Sequence, residues 1–176
     1  QALKSGGLIP VFCVSGENNI GVKRMMDILA KYAPCAGDFE EVAGTKPGSD
    51  DEVVHGPSVD DPLAARVFKT ISEEHIGEMS FFRVYSGKVN AGDDLRNTTR
   101  NNSEKMRQIY FMNGNKRKDA AQLIAGDIGA ALKLKNTHTG DTLSSPKSPI
   151  LLPEIKYPTS NMSFAIKPKA RGDEEK

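Results

Sequence analysis

The residues best equipped to meet another molecule are cations with aromatic rings near them in sequence. Lys69, Arg83, Arg96, Arg100, Lys105 and Arg107 lead to the run Lys116-Arg117-Lys118, and Tyr85, Tyr110 and Phe111 fall among them. Cations interleaved with rings can hold a single nucleic-acid strand, the cations meeting phosphates and the rings stacking on bases. The same charges can equally solvate the outer face of a small β-domain. Lys116-Arg117-Lys118 reads as a loop, which makes it a better phosphate contact than charges scattered along strands.

Catalytic chemistry has little to work with. His55, His75 and His138 are far apart, lack metal-ligand spacing and read as solvated or turn histidines. No nucleophile elbow and no pair of cysteine doublets is present. Cys13 and Cys35 read as free thiols, with Cys13 a small buried hydrophobe inside an apolar run. The acids of Ala91-Gly92-Asp93, Ala125-Gly126-Asp127 and Thr139-Gly140-Asp141 are expected to close tight turns, glycine supplying positive φ and aspartate bonding back to the local backbone. The sequence also contains no Gly-x-x-x-x-Gly-Lys-Ser/Thr loop. We therefore expect no catalytic residue, no metal site and no bound cofactor in this chain.

Those residues need elements to position them. Leu8–Val14 is a continuous apolar run of the buried parallel-strand type. A polar loop, Ser15–Asn19, leads into apolar positions at helical spacing: Val22, Met25, Met26, Leu29 and Ala30, ended by Pro34. One strand–helix unit cannot cover its own strand, so residues 1–35 read as the end of an α/β domain entered part-way. Residues 36–61, rich in Gly, Pro, Ser and acids, have linker composition.

From Pro62 the texture is β: Ala64–Ile71, Gly77–Ser86, Asp94–Thr99, Ser103–Met112 and Ile128–Lys135 read as strands. In the second, Met79, Phe81, Arg83 and Tyr85 share one face and Phe82 and Val84 the other. The fold class is mainly β: a small closed antiparallel barrel of six or seven strands over 62–152, preceded by the partial α/β unit. Residues 153–176 open a further unit with a strand at Asn161–Ile166.

The 176 residues are 38% hydrophobic and 27% charged with a formal net charge of +1, so nucleic-acid binding would come from a local patch. No run approaches the roughly 20 apolar residues that span a bilayer, and Gln1–Gly7 has no signal-peptide core. The expected location is cytoplasmic and no membrane partner is expected.

Several of these motifs, in this order, resemble the elongation factor G family of translational GTPases. Ile9-Pro10-Val11-Phe12-Cys13-Val14-Ser15-Gly16, with Gly21-Val22 beyond, is similar to the last motif of the family's GTPase domain. Phe81-Phe82-Arg83-Val84-Tyr85-Ser86-Gly87-Lys88-Val89 resembles its second-domain signature, and Ala125–Ala130 and Thr139–Leu143 its later turns. Phe164–Lys169 resembles the opening of its third domain. The resemblance implies a ribosome-associated factor that promotes GTP-dependent translocation of tRNA and mRNA. It implies that Ser15 and Gly16 stand where the guanine ring is held, a backbone N–H facing the base. It implies that the barrel docks on small-subunit ribosomal RNA, with Arg83, Arg100, Lys116, Arg117 and Lys118 the candidate contacts, and neighbours the GTPase domain and domain III.

GTP and Mg would belong to the whole factor rather than to this piece. Gly16 in place of the family's Ala, Asn113-Gly114-Asn115 in place of His-Ala-Asn, and no Pro-rich run after Pro34 point to a divergent paralogue. A ribosome-recycling or tetracycline-protection type factor, and a free-standing barrel binding oligonucleotide or carbohydrate, are the alternative readings.

Overall fold

In the computed structural model, which describes residues 2–3, 5–38, 41–73, 77–165 and 167, the apolar spacing after Gly21 becomes the helix α1 (Val22–Tyr32). Gly21 precedes it at φ 73° without a side-chain cap, and the chain turns extended at Ala33, as the following Pro34 requires. The expected strand over Leu8–Val14 is not formed. Ile9 and Val11 are 81% and 87% exposed, and Cys13, expected to be buried, is exposed. The reason lies in the strand type: a parallel strand exists only with hydrogen-bonded neighbours, and among the described residues none pairs with it.

Residues 36–61, expected as linker, contain an antiparallel hairpin of β1 (Val42–Thr45) and β2 (Glu52–His55). Thr45 exchanges two backbone hydrogen bonds with Leu151, at 2.9 and 2.8 Å. Val42 and Val53 pack against Ile150 and Leu152. Gly44 is required there, because a Cβ would meet the Leu151 carbonyl and the Ile150 side chain.

The remaining strands are β3 (Ala64–Glu73), β4 (Gly77–Ser86), β5 (Lys88–Asn90), β6 (Asp94–Asn97), β7 (Asn102–Lys105), β8 (Ile109–Asn113), β9 (Lys116–Ala120), β10 (Gln122–Ile124), β11 (Ile128–Leu132) and β12 (Thr142–Ser144). Eight of them form one antiparallel sheet in the order β7-β6-β12-β3-β4-β11-β8-β9, and β5 pairs with β10 separately. The expected mainly β antiparallel class is what forms. The expected hydrogen-bonded closure is not seen among the described residues, since β7 and β9 end the ladder unpaired with each other. One apolar cluster nevertheless takes Leu95 from β6, Val67 and Phe82 from the middle, Ala120 from β9 and Leu123 from β10. The sheet therefore wraps around this cluster, and the smaller one at Ala64, Ile150 and Leu152 lies under the β1–β2 hairpin.

Strand β4 alternates as expected. Phe82 and Val84 are fully buried, while Phe81, Arg83 and Tyr85 are half-buried on the other face; Met79, placed on that second face, is itself fully buried. Phe68 has no partner between Val67↔Phe82 and Lys69↔Phe81, so it is the extra residue of a β-bulge. The expected long strand Ser103–Met112 is broken at Met106, which turns inward and is fully buried. No strand occupies Asn161–Ala165; Ile166 lies outside the described residues, as do Pro168–Lys176.

The three Gly-Asp turns share one geometry. Gly92, Gly126 and Gly140 have φ of 96°, 98° and 98°. In each turn the aspartate carboxylate accepts from the N–H three residues earlier: Asn90 at 2.8 Å, Ile124 at 2.9 Å and His138 at 2.9 Å. These are structural acids, as the sequence indicates.

Candidate nucleic-acid interface

Lys116, Arg117 and Lys118 are not in a loop. They form the first part of β9, hydrogen-bonded to β8 in the register Asn113↔Lys116, Met112↔Arg117 and Phe111↔Lys118. Gly114 and Asn115 make the two-residue turn, with Gly114 at φ 59°. All three basic residues are exposed, and β9 is the end strand of the sheet. A strand whose outer edge is unpaired by backbone and lined by three cations resists pairing with another strand but offers charge to a polyanion. Arg117 stands 5.9 Å from the centre of the Tyr110 ring, and Phe111 is exposed beside them. Cations and rings are thus brought together on one hairpin, the arrangement that single-stranded or looped nucleic acid uses.

The other candidate residues lie elsewhere. Arg83 is on β4, three strand spacings from β9 or about 14 Å, and its guanidinium stacks 5.2 Å from the Tyr85 ring. Arg100 lies in the turn between β6 and β7, where its Nε donates to Asp141 at 2.7 Å. Buried Asp141 also accepts from Asn97 Nδ2 at 2.9 Å, and Asn97 Oδ1 accepts from the Arg100 N–H at 3.0 Å. Arg100 is therefore a structural cation as much as an available one.

A second basic group forms that the sequence only half reveals. Lys105, Arg107, Lys133 and Lys135 surround a groove of about 310 Å³. Buried Glu104 organises its floor, accepting from the backbone N–H of Lys135 at 3.0 Å and of Asn136 at 2.7 Å, and from the Thr137 hydroxyl at 3.0 Å. Sequence reasoning missed Lys133 and Lys135. They are remote from Lys105 in the chain, and no local signal ties them together.

Ser15 and Ile20 exchange two backbone hydrogen bonds of 3.0 Å, closing the Ser15–Ile20 loop. The Ser15 hydroxyl oxygen accepts from the Asn18 N–H at 3.2 Å and from its amide at 3.1 Å. None of these bonds uses the N–H of exposed Gly16. A Cβ on Gly16 would meet nothing within 4 Å.

His55 differs from its expected solvated state. It is buried at the end of β2, with Nε2 3.4 Å from the Ser148 hydroxyl. Burial lowers its pKa, partly offset by the charge of Asp61 and the Pro62 carbonyl. His138 is exposed, and His75 lies outside the described residues. Among the described residues no group of three His, Cys, Asp or Glu could hold a metal, and no helix is long and apolar enough to cross a membrane.

An antiparallel β-domain with a basic, aromatic hairpin has the makings of a nucleic-acid-binding module. Residues 62–146 match the family model for elongation factor G domain 2. A crystal structure of a protein from Thermus thermophilus superposes with a TM-score of 0.70 at 24% identity. That match covers 99% of this chain and 24% of the other, so this chain spans about a quarter of its length.

Proposed function

We propose that this chain is the ribosome-docking segment of an elongation factor G-like translational GTPase that promotes GTP-dependent translocation of tRNA and mRNA. The observation that carries the reading is the coincidence of the matched domain, residues 62–146, with the exposed Lys116-Arg117-Lys118 strand, whose Arg117 lies over the Tyr110 ring. In this reading the β8–β9 hairpin meets small-subunit ribosomal RNA through phosphate and stacking contacts rather than base-edge recognition.

Residues 1–35 are the end of the GTPase domain, with Ser15 and Gly16 on the guanine side; 62–152 are domain II; 153–176 lead into domain III. Nucleotide and Mg chemistry belongs to the GTPase domain, and this segment is not itself an enzyme. The place of action is the cytoplasm.

Co-sedimentation of the chain with purified small and large ribosomal subunits tests the docking. Binding should be specific to small subunits and fall with salt. In the Lys116→Ala, Arg117→Ala, Lys118→Ala variant, the slope of log affinity against log salt should shrink by roughly 0.7–0.9 for each phosphate that is no longer neutralised. An unchanged slope would sink the proposal.

A further inference from the structure

On β3 and β4 two arginines stand directly opposite each other, Arg66 against Arg83. Like charges in that position repel across the ladder. Among the described residues neither guanidinium has an ion-pair partner within 4.0 Å, and both Nε atoms are buried without a hydrogen-bond acceptor. Both side chains line one cavity of about 490 Å³, together with Tyr85, Leu152, Glu41 and Glu154. The stack on Tyr85 holds Arg83 in place before anything binds. Two guanidinium groups on one wall, one of them held against an aromatic ring, form a fork-like receptor for an oxyanion.

We propose that this cavity binds a phosphate ester. The phosphate sits on Arg66 and Arg83, and the organic part fills the space against Tyr85 and Leu152. The volume falls in the range of small-molecule pockets and is far larger than a bare anion needs. Glu41 and Glu154, exposed at the same cavity, repel an incoming anion and set its affinity low. The ester can come from a free mononucleotide or from one nucleotide of an RNA strand. The site is independent of docking by the β8–β9 hairpin.

The test is a titration of the chain with adenosine monophosphate, and separately with a short oligouridylate lacking a terminal phosphate, followed by amide NMR shifts. At least one ligand should shift the amides of Ala43, Val84 and Tyr85 saturably. Arg66→Gln should weaken that binding about tenfold or more, the scale of a charge-assisted hydrogen bond. This variant removes a like-charge repulsion, so its fold should be intact. Glu154→Gln, which leaves both arginines in place, should tighten binding.

Shifts with the mononucleotide alone assign the site to free nucleotide; shifts with the oligomer alone assign it to RNA. If neither ligand moves those amides, or if Arg66→Gln and Glu154→Gln both bind as wild type, the proposal is wrong. In that event small-subunit binding that still depends on Lys116–Lys118 would leave the docking reading standing.

Discussion

Asp141 shows how one side chain can settle which of its neighbours is free to act. Its buried carboxylate accepts from Asn97, Arg100 and the His138 N–H, so Asp141→Ala strands a buried amide and a guanidinium at once. We expect a loss of about 3 kcal/mol, read from the urea midpoint at unchanged slope. Gly16→Ala should change stability by less than about 0.5 kcal/mol, since its Cβ enters open space. His55 gives a pH signature. Its folded pKa is lowered, so the unfolded chain takes up the proton first as pH falls. Stability should be level above the ordinary histidine value of about 6.5 and decline below it, toward the lowered folded value. A urea-midpoint series across that range should show the decline in wild type and lose it in His55→Leu. The turn role of Asp93, Asp127 and Asp141 was legible in the sequence because each bond closes within three residues. The burial of His55 was not, because Ser148, 93 residues away, supplies its contact.

At the scale of elements, what could be read depended on whether the deciding partner was local. Strand β4 was readable in its bounds and, Met79 apart, in its faces, because its alternation is strong and its core face is Phe82 and Val84. Strand β9 was not, because three consecutive cations have weak strand propensity and only pairing with Phe111 and Met112 makes them one. The β1–β2 hairpin was hidden for the same reason: its mixture of Gly, Pro, Ser and acids reads as linker until Ile150 and Leu151 arrive to cover it. Gly44→Ala should therefore cost about 1–3 kcal/mol by driving a Cβ into the Leu151 carbonyl. Hydrogen exchange should show the hairpin amides opening first in that variant, with the core of β3 and β4 unaffected. Equal loss of protection across β3 and β4 would mean that the hairpin is not a separable element.

Across the whole molecule, the buried apolar side chains belong to the β-region, and among the described residues before Ala36 none is buried. The β-region packs its apolar side chains into one large cluster and a smaller one at Ala64, Ile150 and Leu152, whereas α1 buries no residue and the run before it leaves Ile9 and Val11 in solvent. The helix after Gly21 forms as its apolar spacing indicates, whereas the strand over Leu8–Val14 does not, since a parallel strand needs hydrogen-bonded neighbours. The most direct test of the proposed docking is a cross-link from the hairpin tip. Asn115→Cys, in a Cys13→Ser, Cys35→Ser background that removes the two exposed thiols, would carry a photo-reactive group into complexes of the chain with ribosomes. Docking through the β8–β9 hairpin predicts cross-links to small-subunit ribosomal RNA that vanish when Lys116, Arg117 and Lys118 are replaced by alanine. Cross-links confined to the large subunit, or unchanged by those replacements, would contradict it.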